Sequence, residues 1–266
     1  MRRSAVVFAA ITLLAAVFGA QGAAAQSAVA QSAAEIVRAS RDRIKADTVS
    51  TRSRMVITAK DGTTTERLVD QYSSEGKDGN RSMIVFQKPA SVAGTRFLVV
   101  ENPGREEDRW IYLPALGKVR RIASGEGSGS FMGTDFTYDD ISSANRDATK
   151  DSHEILRSEA LTGADCWVIE SKPMDKDYQY SKMVSWIDKA TKISRRIELY
   201  DKKGVLLKVV EIEKVEDVQG RSTPKTTKMS SVQAKTSTTI FVEIIKYDEK
   251  IPEGVFTTRY LETGRP

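Results

Sequence analysis

Two residue types that build most catalytic and metal sites are almost missing from this chain: it has one cysteine, Cys166, and one histidine, His153. A single cysteine excludes an intrachain disulfide, so stability has to come from a buried core rather than a covalent staple. Cys166 also lies deep in the chain beside Trp167, far from the N-terminal position that a lipid-anchored form requires. A Ser-His-Asp site would rest on His153 alone, and no G-x-S-x-G elbow accompanies it. Gly125, Gly127, Gly129 and Gly133 match neither G-x-G-x-x-G nor G-x-x-x-x-G-K-[ST], which leaves a nucleotide site unsupported. There is no basic block, because 41 Lys and Arg alternate along the chain with 36 Asp and Glu, and this argues for a solvated surface and against nucleic-acid binding. These absences predict a protein without enzymatic activity, metal or cofactor.

Long apolar runs are absent too, with one exception at the start. Met1-Arg2-Arg3 precedes the uncharged run Ala5 to Ala20 and the small residues Gly22-Ala23-Ala24-Ala25. A charged start, an apolar middle and an A-x-A site describe a secretory signal, with cleavage after Ala25 or, as the alternative, after Ala30. The run is short for a bilayer span, which needs roughly 18 or more residues. The expected organisation is a signal peptide over 1–25 and a single domain over 26–266, in the periplasm of a two-membrane envelope. Losing Arg2 and Arg3 and no acid leaves 39 basic against 36 acidic residues, a formal charge of +3.

Ser32-Ala33-Ala34-Glu35 reads as a capping box, which satisfies the free amides of a first helical turn. Ile36, Ser40 and Ile44 then share a face, so the spacing predicts one amphipathic helix over 33–46 that covers a sheet. From residue 50 the period changes to alternation: Met55, Ile57 and Ala59, the turn Asp61-Gly62, then Leu68, Asp70 and Tyr72. Further turn signals stand at 77–80, 103–104, 114–117, 163–165, 202–204 and 219–220, with β-branched and aromatic runs between them. The whole reads as a long antiparallel meander. Phe97 to Val100, Trp110 to Leu113, Val205 to Leu207 and Ile240 to Ile245 are apolar on both faces. In an antiparallel sheet this means one face on a core and the other under a helix or around an apolar cavity, and a two-layer sandwich would give the same pattern.

The glycine-rich stretch Ser124 to Ser130 opens into Phe131-Met132-Gly133-Thr134-Asp135-Phe136-Thr137-Tyr138-Asp139-Asp140. It suits a mobile lid with aromatics to bury, or equally a loop docked on the core. Two acidic clusters, Glu106-Glu107-Asp108 and Asp135 with Asp139-Asp140, are the residues a glycosidase pair would use, and Asp135, Asp139 and Asp140 those a calcium ion would use. Their bland reading is surface turns and, for Asp139-Asp140, the head of a short helix.

What remains is aliphatic and aromatic surface. Burying an acyl chain of roughly sixteen carbons offers about 12 kcal/mol gross, at about 0.8 kcal/mol per methylene. If half survives the ordering costs, the dissociation constant is on the order of tens of micromolar. Lipid carriage therefore needs no catalytic residue.

Several blocks carry a family resemblance: Gly94-Thr95-Arg96-Phe97-Leu98, Arg109 to Pro114 with Lys118-Val119-Arg120-Arg121 behind it, Phe131 to Phe136, Trp186-Ile187-Asp188 with Thr191-Lys192-Ile193, and Ile251 to Phe256. Through them nearly all of the chain beyond the signal segment resembles the LolA-like periplasmic outer-membrane lipoprotein-sorting proteins. The W-I-D and F-M-G-T-D-F blocks are the most specific, and the latter resembles a distinct branch of the group, which implies a general lipid-handling partner of envelope transporters.

The resemblance implies a mainly β (α+β) fold of the LolA/LppX kind, an unclosed antiparallel β-barrel whose helices cover an apolar cavity. It implies a carrier for acyl chains of lipids or lipoproteins, working between an inner-membrane transporter and an outer-membrane acceptor. Phe97, Val99, Trp110, Tyr112, Phe131, Met132, Phe136, Tyr138 and Trp186 are the expected cavity or lid residues. Two other functions compete with it: a regulatory sensor of the same fold that binds a membrane-protein partner, and a carboxylate-based polysaccharide enzyme.

Overall fold

The computed structural model describes residues 31–142 and 147–266. The expected signal peptide and its cleavage sites lie outside the described residues. The chain enters through helix α1 (Ala33–Arg41), whose first turn carries the anticipated capping box: Ser32 N donates to Glu35 Oε2 at 2.8 Å, and Glu35 N donates to Ser32 Oγ at 3.3 Å. The helix is shorter than the periodicity suggests. Ser40 is already buried against Ser194, with their hydroxyls 3.1 Å apart, and Asp42 ends the helix so that the chain can turn into the first strand.

Six strands follow: β1 (Thr48–Thr58), β2 (Thr64–Ser74), β3 (Arg81–Lys88), β4 (Arg96–Asn102), β5 (Arg105–Leu113) and β6 (Lys118–Arg121). A linking segment over 122–150 contains the short helix α2 (Tyr138–Ser142). Seven more strands complete the sheet: β7 (Asp151–Leu161), β8 (Ala164–Pro173), β9 (Lys182–Asp188), β10 (Ser194–Tyr200), β11 (Leu206–Val218), β12 (Arg221–Ser231) and β13 (Thr236–Tyr247). The chain closes on α3 (Thr258–Thr263).

Among the described residues, all thirteen strands form one antiparallel sheet, in the order β6-β5-β4-β3-β2-β1-β13-β12-β11-β10-β9-β8-β7. Every neighbour is also a sequence neighbour except β1 and β13, which pair from Val49–Tyr247 to Thr58–Ser237 and so join two meanders through the two ends of the fold. β6 and β7 are left as edges, so the barrel is unclosed. β6 protects itself by being short and carrying Lys118, Arg120 and Arg121; β7 carries a bulge between Ile155 and Arg157.

Two adjacent residues of α2 show how far the sheet curls. Asp139 Oδ1 is 2.7 Å from Arg109 Nη1 on β5, and Asp140 Oδ2 is 2.9 Å from Lys208 Nζ on β11. Seven ladder spacings separate β5 from β11, roughly 34 Å in a flat sheet at about 4.8 Å per strand. Neighbouring Cα atoms are only about 3.8 Å apart. The sheet therefore wraps around the linking segment, and the face that meets this segment is the inner one.

Register then sorts the side chains. Met55, Val69, Ile84, Phe86, Phe97, Val99 and Ile111 point inward and pack on Phe131. Met83, Val85 and Leu98 point outward, under Val255, Phe256 and Leu261 of the C-terminal segment. On the other meander α1 lays Ile36 and Val37 over Ile169 and Ile187. The doubly apolar pattern holds fully at β4, whereas Val205 and Ile244 stand exposed.

Candidate functional site

The hollow of the curled sheet is the site to examine, and the linking segment fills it. Phe131 to Thr134 form a tight turn in which Thr134 N donates to the Phe131 carbonyl at 3.0 Å and Phe131 N to the Phe136 carbonyl at 2.8 Å. Met132 and Gly133 both have positive φ, 53° and 73°. That pair of left-handed residues is what a type I′ turn demands, and glycine meets half of the demand without strain. The F-M-G-T-D-F block is thus a miniature hairpin inserted into the barrel, closed by a bridge between Ser130 and Thr137.

Aromatic stacking seats this insert. Phe131 is 1% exposed, and its ring centroid lies 5.2 Å from Phe97, 5.5 Å from Tyr138 and 5.8 Å from Phe86. Met132 packs on the same cluster, and Phe136 crosses to the other meander, against Tyr180, Leu199 and Met229. Gly127 is needed for contact rather than mobility: a Cβ there would stand 1.9 Å from Asp139 Oδ1.

Polar anchors complete the seat. Asp135, 8% exposed, accepts from Ser231 Oγ at 2.6 Å, Thr236 Oγ1 at 2.5 Å and Thr238 Oγ1 at 2.7 Å. Asp140 accepts from Tyr180 Oη at 2.8 Å, Gln179 Nε2 at 3.1 Å, Lys208 Nζ at 2.9 Å and its own cap partner Thr137 N at 2.9 Å. Burial first, and the Asp140 carboxylate second, push the Tyr180 phenol far up, so it remains a donor. Arg67 donates from Nη1 to the Met132 carbonyl at 2.5 Å with its guanidinium 5.7 Å from the Phe86 ring, and burial lowers its pKa. The three acids singled out as a possible metal or glycosidase cluster, Asp135, Asp139 and Asp140, are each taken up by donors of the chain itself.

The nine expected site residues divide by face. Phe97 and Val99 line the inner wall, and Phe131, Met132, Phe136 and Tyr138 are the insert that covers it. Trp110 and Tyr112 lie on the outer face with Leu98, and Arg96 stacks 5.5 Å from the Tyr112 ring. Trp186 is also outward, packed on Cys166, Val168 and Val184, with Nε1 donating to Glu159 at 3.2 Å. Sequence reasoning missed Arg67, Tyr180, Lys208 and the hydroxyl bowl of Ser231, Thr236 and Thr238. Hydroxyls at 236 and 238, two apart on a strand that also carries Ile240, put polar groups on the apolar face, and that spacing was the available signal.

The apolar wall is closed by the chain's own insert, so the large open cleft, about 1590 Å³, lies at a charged end of the hollow. Arg38, Arg105 and Arg109 face Asp42, Glu101 and Glu107 there, and burial raises Glu101. His153 does not itself line this cleft. Its Nε2 is 2.8 Å from the Ala148 carbonyl and its Nδ1 2.7 Å from Ser171 Oγ, which ties the start of β7 to β8.

Residues 78–263 match a protein family described only as "Uncharacterized protein"-like. No curated protein matches the chain. Among solved structures, an outer membrane lipoprotein-sorting protein domain from Vibrio parahaemolyticus is 30% identical with a TM-score of 0.81, covering 86% of this chain and 98% of its own. A DUF1329 family protein from Desulfovibrio piger is 29% identical with a TM-score of 0.82, covering 86% and 97%. A LolA superfamily protein from Nitrosomonas europaea, 21% identical over 87% of this chain and all 100% of its own, has the same fold at a TM-score of 0.68.

Proposed function

The chain belongs to the outer membrane lipoprotein-sorting protein domain family, with the fold of the LolA superfamily, and from that premise we propose that it is a non-enzymatic periplasmic carrier of lipid or lipoprotein acyl chains. It would take its load from an inner-membrane transporter and release it to an outer-membrane acceptor. One observation carries the reading. The apolar inner wall of Met55, Ile84, Phe86, Phe97, Val99 and Ile111 is covered by a single folded insert and not by a second sheet. A segment attached at its two ends can leave such a wall, whereas an opposed sheet cannot.

The magnitudes favour exchange. Fully burying a side chain such as Phe131 contributes about 3 kcal/mol at most, and the part-buried Met132, Phe136 and Tyr138 add less, so the insert's apolar seat totals about 5–8 kcal/mol. An acyl chain offers about 12 kcal/mol gross in the same place. With about half of that surviving the ordering costs, the acyl chain and the insert's seat are of similar magnitude, so loading and release stay near balance, which is what a carrier needs. In this reading the insert is the lid, and Arg67, Asp135 and Asp140 are its latches.

Native mass spectrometry after gentle purification tests this, with expected adducts of phospholipid or fatty-acid mass. A clean apo mass together with no uptake of a fluorescent fatty-acid probe would reject the carrier.

A further inference from the structure

The exposed large hydrophobic side chains of the second meander, apart from those on edge strand β7 and Ile244 of β13, stand at hairpin tips on one end of its strands. Met174 in the β8–β9 loop is 64% exposed, Val205 in the β10–β11 turn 50% and Val232 in the β12–β13 turn 43%. Turn tips are ordinarily polar, so three apolar ones in a row need a reason. The tips are physically continuous. Lys202 Nζ donates to the Lys176 carbonyl at 2.7 Å, joining the β10–β11 turn to the β8–β9 loop. Val232 N donates to the Leu207 carbonyl at 2.9 Å, and Thr58 pairs with Ser237, which brings in the β1–β2 turn.

Interleaved with these tips are the exposed Lys60, Lys176, Lys202, Lys203 and Lys235. Four acids accompany them, but three fold back onto their own turns. Asp201 Oδ1 accepts from the amides of Lys203 and Val205 at 2.9 Å, Asp61 Oδ1 from Thr63 N at 3.0 Å and Asp175 Oδ1 from Asp177 N at 2.8 Å. Long lysine stems thus reach past short, self-occupied carboxylates.

The opposite turns of the same strands are built differently. Thr162-Gly163 and Gln219-Gly220 expose no large apolar side chain. In the β9–β10 turn Lys189 pairs with Asp165 at 3.0 Å, and Lys192 lies 4.4 Å from the Trp167 ring.

We propose that this run of tips, Met174, Val205 and Val232 with the surrounding lysines, is a docking rim for an anionic phospholipid surface. A bilayer interface accepts each apolar tip without shape complementarity while the lysines meet its phosphates. The rim stands whether or not the hollow takes an acyl chain.

Cys166 is fully buried, so a cysteine introduced as Val205→Cys takes an environment-sensitive fluorophore selectively, with Gln219→Cys as the opposite-end control. With vesicles of phosphatidylcholine and phosphatidylglycerol in a 3:1 ratio, a blue shift is expected at position 205 and none at 219, and pure phosphatidylcholine should give little. Lys202→Gln with Lys203→Gln should lower the vesicle partition coefficient roughly 25-fold, about fivefold per ammonium, and raising the salt should weaken binding of the unaltered chain as well. No shift at 205 with anionic vesicles, or equal shifts at 205 and 219, would overturn the proposal. A shift that appears without lipid and grows with protein concentration would assign the rim to a second copy of the chain and overturn it too.

Discussion

Replacing Asp135 by alanine should open the insert while leaving the sheet folded. The carboxylate collects three hydroxyls, Ser231, Thr236 and Thr238, and Thr238 is wholly buried. Hydrogen bonds to a charged acceptor each contribute about 1.5–3 kcal/mol, and the stranded hydroxyls cost a further 1–3 kcal/mol where water does not reach them. Against this the variant no longer has to desolvate a carboxylate. A net loss of about 3 kcal/mol is a conservative figure, equivalent to roughly 150-fold in the opening equilibrium.

Hydrogen exchange localises that loss. The amides of Phe131 and Tyr138, bonded to the Phe136 and Gly129 carbonyls, belong to the insert, whereas the β3–β4 ladder around Ile84 and Phe97 belongs to the wall. Peptides spanning 129–138 should exchange about two orders of magnitude faster in Asp135→Ala, with the β3–β4 peptides unchanged, and uptake of a fatty-acid probe should become tighter because less closing energy is spent. Equal acceleration of both regions would show that Asp135 supports the whole barrel. Unchanged exchange at 129–138 would refute the latch outright.

Three further outcomes follow from the same geometry. Trp186→Ala should lower stability by roughly 3–5 kcal/mol and the part-buried Trp110→Ala by less, both leaving probe affinity unaltered, while Phe97→Ala on the inner wall should alter affinity; a calorimeter and a probe titration separate the two effects. Ser32→Ala should cost α1 about 1 kcal/mol. The Ser32 backbone hydrogen bond first, and its side chain second, hold Glu35 below its ordinary carboxylate value, so the contribution is present above the unfolded pKa and disappears as pH falls through the folded one; acid titration of α1 protection should keep a reduced step in Ser32→Ala, which retains the backbone donor, and lose it in Glu35→Gln. Burial, and then the Glu198 carboxylate accepting its hydroxyl at 2.6 Å, push Tyr200 up to about 12. Because the folded pKa is the raised one, its contribution is intact below about pH 10 and is lost as pH rises toward 12; phenolate absorbance should show a late-titrating tyrosine that moves down in Glu198→Gln.

Period and punctuation made the β meander, its hairpin turns and the Ser32–Glu35 cap readable from the amino-acid sequence, because alternation, glycine turns and capping are properties of neighbouring residues. The same local signals marked Asp139-Asp140 as a helix head and the F-M-G-T-D-F block as a special element. The end of α1 was not readable, since Ser40 meets Ser194 only in three dimensions.

Which face looks inward was decided by tertiary structure alone. Alternation tells that Phe97 and Leu98 lie on opposite faces of β4, but that Trp110 shares the face of Leu98 and not of Phe97 follows only from the β4–β5 register. It does not say which face curls around the hollow. That choice comes from β1 pairing with β13 across the whole length of the fold, and from an insert whose Asp139 and Asp140 reach strands seven ladders apart. Side chains more than a hundred residues apart, Asp135 and Thr238 among them, meet only once the sheet has closed that far, and no nearest-neighbour pattern encodes their meeting.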